Sequence, residues 1–211
     1  MMNHNFILKY ADAKPLIREA DVLLFRGNSI WSKIIRKFTQ SPYSHAGLAS
    51  WHNGSNLLEL IEFKEWKGGR CVNLQRVVEE YRGQIDVYRP ATFKQKWEFY
   101  PLNNYVAKRW IPLEPRKITN TMRKLTGLPY GWKRIWWFTK QKLIGLRLFY
   151  KESDIINDTV GKIVEPVCST AVAHSFSTHN FDLVHNRADN WMEPNHIGMS
   201  PLLSYVFTLT R

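Results

Sequence analysis

The sequence predicts an α+β fold in one domain. Strand-like patterns crowd the first ninety or so residues, helical periodicity dominates afterwards, and no regular alternation of strand and helix runs through the chain. At 211 residues with 44% hydrophobic content the chain can bury a sizeable core. The single domain spans 1–211, with a helical, Trp-rich basic insertion expected over about 92–150.

The elements follow in order. The run "DVLLF" from Asp21 to Phe25, closed by "RGNS", reads as a buried strand and turn. In "SIWSKIIRKFTQ", Ile30, Ile34 and Phe38 recur at helical spacing, which predicts a basic amphipathic helix stopped by "SPY". "SHAGLASW" and "LLELIEF" flank "HNGSN", and an Asn-Gly pair between two apolar runs predicts a hairpin. "GGRCVNL" and "QIDVYRP" read as further strands around a short helix near Gln75 to Tyr81. From Thr92 to Tyr150 the pattern is mostly helical, broken at Pro112, Pro115 and "GLPYG". A helix after Cys168, a polar loop and a last strand near Tyr205 to Leu209 complete the chain.

Thirty Lys and Arg against eighteen acidic residues give a net charge of +12, which favours polyanionic neighbours: a phospholipid surface, nucleic acid or an anionic wall polymer. The sequence carries no zinc-finger spacing, no aromatic RNA-binding signature and no Gly-rich phosphate loop, so no specific nucleic-acid partner is expected. Two cysteines, Cys71 and Cys168, are too few for a disulfide framework. The start lacks the order of a secretory signal and no apolar run reaches the roughly 18 residues of a membrane span, so the expectation is a soluble protein made in the cytosol, with delivery elsewhere by another route left open. Oligomeric state is not legible.

The chemistry centres on "EPVCSTAVAHSF". Pro166 suits the first turn of a helix, and Cys168, Ala171, Val172, Ser175 and Phe176 would share one helix face. A cysteine at a helix N-terminus gains thiolate character because unpaired backbone N–H groups favour negative charge there. A buried structural cysteine fits the same local pattern. His45, in "SPYSHAGL" at the start of the first hairpin strand, is the candidate base. With a two-residue Asn53-Gly54 turn, His52 pairs with Ser55, and continuing outward His45 falls opposite Glu62, whose carboxylate would orient the imidazole. Glu59 is the rival, since a loop one residue longer would turn it to the side of His45. Cys71, after "GGR", reads as packed within a strand. The other histidines show no metal-ligand spacing; His174 and His179 bracket the end of the Cys168 helix.

Taken together, "DVLLFRG", "SPYSHAGLAS", "LIEFKEWKGGR", "IDVYRP", "GLPYGW" and "EPVCSTAVAHSF", in that order, resemble the permuted papain-like hydrolases of the NlpC-type superfamily, in its YiiX-like branch. The resemblance covers nearly the whole chain. It implies a permuted papain-like fold with a small barrel or sheet against the helix that begins at Cys168, with Cys168 as nucleophile, His45 as general base and Glu62 as orienter. The spacing of Glu62 to "GGR" fits that pattern better than the spacing of Glu59. One departure is Ala20-Asp21, where such proteins often have Gly-Asp. No metal or other cofactor is required by two-step acyl transfer through a thioester.

Members of that superfamily differ in substrate. An amidase or peptidase on cell-wall peptides is the reading the resemblance favours. "GWKRIWWFTKQKLIGLRLFY", which interleaves Trp132, Trp136, Trp137 and Phe138 with Lys133, Arg134, Lys140, Lys142 and Arg147, points instead to a lipid-directed hydrolase or acyltransferase at an anionic membrane surface. A third reading is a binding module with an idle thiol.

Overall fold

The computed structural model describes residues 6–27, 41–100, 105–132, 166–184, 189 and 192–211. Seven strands form one sheet: β1 (Ile7–Lys9), β2 (Val22–Gly27), β3 (His45–Trp51), β4 (Leu58–Lys64), β5 (Gly68–Asn73), β6 (Gly83–Pro90) and β9 (Leu203–Thr210), in the order β1-β9-β6-β2-β3-β4-β5. All neighbours are antiparallel except β1 and β9, which run parallel. With β1 and β5 as its two edges, this is the sheet of the two architectures expected, and not the closed barrel. The helices are α1 (Tyr10–Ala13), α2 (Leu74–Glu80), α3 (Pro115–Lys124), α4 (Cys168–Ser177) and α5 (Pro194–Gly198).

Period-two alternation splits the core. Val22 and Leu24 of β2 pack with Leu48, Ile61 and Phe63, and with Ala171, Val172 and Phe176 of α4. Leu23 and Phe25 turn the other way and pack with Leu60, with Leu74 and Val78 of α2, and with Phe207. A sheet buried on both faces explains why "DVLLF" is continuously apolar. Burying a Leu or Phe side chain in such a cluster stabilises the fold by roughly 1.5–3 kcal/mol.

The segment expected to be helical from Thr92 opens instead as a hairpin, β7 (Phe93–Tyr100) and β8 (Tyr105–Pro112), paired Phe93 with Pro112 through Tyr100 with Tyr105. Phe, Trp, Tyr, Val and Ile at these positions suit a pleated surface, and the spacing of aromatics alone does not distinguish the two periods. Helix resumes only at Pro115, which occupies the first turn of α3. The expected helix over 30–38 and the remainder of the Trp-rich run, 133–150, lie outside the described residues. Among the described residues no helix is long and apolar enough to cross a membrane.

Candidate active site

The β3–β4 hairpin sets the first two side chains. Its register is Gly47 with Glu62, Ser50 with Glu59 and Trp51 with Leu58, two residues away from the expected pairing of His45 with Glu62. The reason lies in the loop. Gly54 has φ +75° while Asn53 does not have a positive φ, and the Ser55 amide donates to the His52 carbonyl at 3.4 Å. Positive φ at the third residue alone is the signature of a type II turn, whereas the expected type I′ turn needs it at both central residues. The His52 amide then closes the hairpin on the Leu57 carbonyl at 2.9 Å, leaving four residues in the loop.

A shift of two preserves the face. His45 and Glu62 sit diagonally across the pair, and Nε2 of His45 meets Oε2 of Glu62 at 2.7 Å. Glu59, the rival, turns away: its Oε2 accepts from Arg123 at 2.7 Å and lies 3.8 Å from His52 Nδ1. His45 is held by its neighbours. The Ser44 amide donates to the Phe25 carbonyl at 2.9 Å, Phe25 presents its ring edge-on to the imidazole at 5.1 Å, and the hydroxyl of Tyr43 is bound to buried Asp86 at 2.9 Å.

Helix α4 supplies the third side chain. Cys168 is its first residue, with Val167 as N-cap, so Pro166 lies before the helix and not in its first turn as expected. Thr170 reaches back to accept from the Val167 amide at 2.9 Å, the half of a capping box that a valine N-cap leaves possible. Cys168, Ala171, Val172, Ser175 and Phe176 are all buried, as the spacing predicts. The buried hydroxyls are satisfied locally: Ser169 donates to the Met192 carbonyl at 2.6 Å and Ser175 to the Ala171 carbonyl at 2.7 Å. At 5% exposure Cys168 is nearly but not wholly covered. Both cysteines are free, and Cys71 takes a hydrogen bond from Arg123 Nη1 at 3.2 Å.

Cys168 lies near His45 and acts on its ring by charge. With Nε2 committed to Glu62, the nitrogen left for the sulfur is Nδ1, which is buried and completes no hydrogen bond of ordinary geometry. Burial alone would lower the pKa of His45; the charge and hydrogen bonding of Cys168, then of Glu62, overcome it and raise the imidazole to about 10. Burial would raise the carboxyl of Glu62, only 1% exposed, but His45 and then Arg70 bring it down to about 2.

Two residues of the site were not singled out by the sequence reading. Arg70 of β5, the strand neighbour of Glu62, donates from Nε to Oε1 at 2.8 Å and from Nη2 to the same oxygen. Tyr130, in "GLPYG", is buried near Cys168, and burial, followed by the charges of Cys168 and Glu65, holds its pKa well above that of a free tyrosine. Its loop is pinned to "GGR": the Gly69 amide donates to Leu128 at 3.0 Å and the Gly127 amide to Gly69 at 2.9 Å. A Cβ on Gly68, which has φ +67°, would stand 2.4 Å from the Leu128 carbonyl oxygen, so only glycine permits that approach. The Gly131 amide then donates to Pro166 at 3.2 Å, tying the Tyr130 loop to the approach of α4. A signal for Arg70 existed, since a basic residue one strand over from a buried carboxylate is its natural partner; Tyr130 had none beyond its place in a turn.

This sheet-and-helix arrangement belongs to the YiiX-like class of α+β folds. It is similar to the crystal structure of the metalloprotein YiiX from Escherichia coli O157:H7, of the DUF1105 family, with a TM-score of 0.56 and 15% identity over 92% of this chain and 99% of that chain. No protein-family model matches the chain, and no curated protein matches it. Among the described residues no three His, Cys, Asp or Glu side chains gather as metal ligands. Both oxygens of Glu62 are already taken by donors, so the site residues do not form a metal-binding set.

Proposed function

We propose that the protein is a cysteine-dependent hydrolase that cleaves an amide, with cell-wall peptides as the substrate class, through a thioester on Cys168. The observation that carries this reading is the convergence of Cys168 on an imidazole whose far nitrogen is fixed by Glu62 at 2.7 Å. The Cys168 thiolate attacks the carbonyl carbon, forming a C–S bond and a tetrahedral oxyanion. First-turn amides of α4, which no intrahelical carbonyl reaches, and the Tyr130 hydroxyl serve as the donors to that oxygen. The protonated ring of His45 passes its proton to the departing nitrogen as the C–N bond breaks. An amine leaves only when protonated, and the imidazolium, which the thiolate–imidazole pair holds charged before attack, supplies that proton. Neutral His45 then takes a proton from water as the oxygen attacks the thioester, and the acid leaves with the thiol restored.

The test uses p-nitrophenyl acetate as a general acyl probe and purified peptidoglycan peptides as the amide substrate. Expected are an acetyl adduct on Cys168 by intact mass, a burst of nitrophenol, and peptide cleavage lost in Cys168→Ala with an unchanged melting temperature. An adduct confined to Cys71, or cleavage undiminished in Cys168→Ala, would overturn the proposal.

A further inference from the structure

The core holds a carboxylate that the proposed chemistry does not use. Asp86 of β6 is 3% exposed and three donors meet it: Arg26 Nη2 at 2.6 Å and Thr208 Oγ1 at 2.6 Å on Oδ1, and the Tyr43 hydroxyl at 2.9 Å on Oδ2. A buried ion pair of this kind seldom adds more to stability than apolar side chains of the same volume, so holding the fold together does not account for it. Two of the donors have His45 in common. Tyr43 stands two residues before it, and Arg26 follows Phe25, whose ring lies edge-on to the imidazole and whose carbonyl takes the Ser44 amide. Tyr43 itself has little room: a Cβ on Gly198 of α5 would stand 2.8 Å from its Cε2, and its amide donates to Ser41 Oγ at 2.9 Å. Its one hydroxyl proton goes to Asp86, which leaves Tyr88 to donate to the Tyr43 oxygen at 2.8 Å. Burial, then the Tyr88 hydrogen bond and the Asp86 charge, raise the pKa of Tyr43, so the hydroxyl remains a donor.

We infer that Tyr43 and Asp86 are positioning residues for the reaction: their hydrogen bond fixes how the chain enters β3, and with it the setting of the His45 ring between Glu62 and Cys168. Neither side chain touches the reacting atoms. Glu62 holds the ring at Nε2, but one hydrogen bond leaves an imidazole free to swing about that contact. The backbone at 43–45 holds its other end, and the two anchors together decide where Nδ1 faces. Effective proton transfer depends on that aim, because a small displacement of a catalytic group costs a large share of the rate. The inference rests on the reading of Cys168 and His45 given above and adds to it the residues that aim the ring.

The experiment follows the rate of Cys168 alkylation by iodoacetamide against pH in the full chain, with melting temperatures alongside. In wild type the acid limb should lie well below the about 8.5 of an ordinary thiol. Tyr43→Phe removes a hydroxyl and no charge, so movement of that limb reports geometry and not a changed field. It should slow alkylation about tenfold at neutral pH and carry the limb toward the ordinary value. Thr208→Val takes a donor from the same carboxylate on β9, two strands away from β3; it should lower the melting temperature by a similar amount and leave the limb in place. Should Tyr43→Phe not fold, Tyr88→Phe, which withdraws the donor behind Tyr43, should move the limb the same way by less. A limb unmoved in the folded variant, or moved as far by Thr208→Val, would overturn the proposal. A wild type whose limb already sits at the ordinary value would overturn the reading of Cys168 and His45 and this inference with it.

Discussion

Arg70 grips Glu62 from the side opposite His45: both of its donors reach Oε1, which leaves Oε2 for the imidazole. The carboxylate is thus held between a permanent cation and a ring that changes charge. Replacing Arg70 by Met should cost about 2 kcal/mol in urea unfolding, since a buried carboxylate loses two charged donors. A merely structural role would stop there. The acid limb of Cys168 alkylation by iodoacetamide should also move to higher pH, because Glu62 without Arg70 takes up its proton sooner, and Arg70→Lys should restore that limb in part.

Stability should fall on both sides of a window set by the same pair. Glu62 titrates at about 2 in the fold against an ordinary 4.5, so its contribution is present above pH 4.5 and is lost as pH falls through 2. His45 titrates at about 10 against an ordinary 6.5, so its contribution is whole below pH 6.5 and is lost as pH rises through 10. Melting temperatures across pH should show the alkaline decline flattened in His45→Gln and the acid decline flattened in Glu62→Gln. Parallel curves for all three proteins would contradict these shifts.

Glu59 and Glu62 give opposite expectations. Glu62→Gln should slow alkylation of Cys168 about tenfold at neutral pH, since the ring loses its anionic anchor. Glu59→Gln, which touches Arg123 and not the site, should leave that rate unchanged. Cys71, whose thiol burial pushes up, should be labelled after Cys168 in every variant.

Gly47 is the strand partner of Glu62, and a Cβ there would meet Leu60 Cδ1 at 2.6 Å and the Ile61 carbonyl at 2.8 Å. Gly47→Ala should therefore force β3 and β4 apart, costing about 2 kcal/mol by chemical denaturation and slowing Cys168 alkylation as Glu62 shifts from His45.

How far the site was legible in the sequence depends on what kind of signal each part carries. His45 and Glu62 could be put on one face because a hairpin preserves parity: the turn type was misjudged, the register slipped by two, and the face survived. A slip of one would have delivered Glu59 instead. Strands β2 to β6 were legible because each alternates or runs apolar between clear turn residues. The hairpin β7–β8 was not, since its aromatics and lysines fit either period. β1 is three residues long and exists only because β9 offers it an edge, a tertiary fact that no local pattern carries. Tyr130 reaches Cys168 through backbone bonds between "GGR" and "GLPYG", some sixty residues apart, which is equally invisible to spacing.

The placement of β9 bears on how the chain can be made. It lies between β6 and β1, so two earlier strands each lack a neighbour until 203–210 arrive. During synthesis the amide ladder of β6 must stay open while more than a hundred residues follow it, a ready template for pairing with another nascent chain. Assembly of the sheet is therefore a late event that waits on β9, and yield in cells should depend on whatever shields that open flank in the meantime.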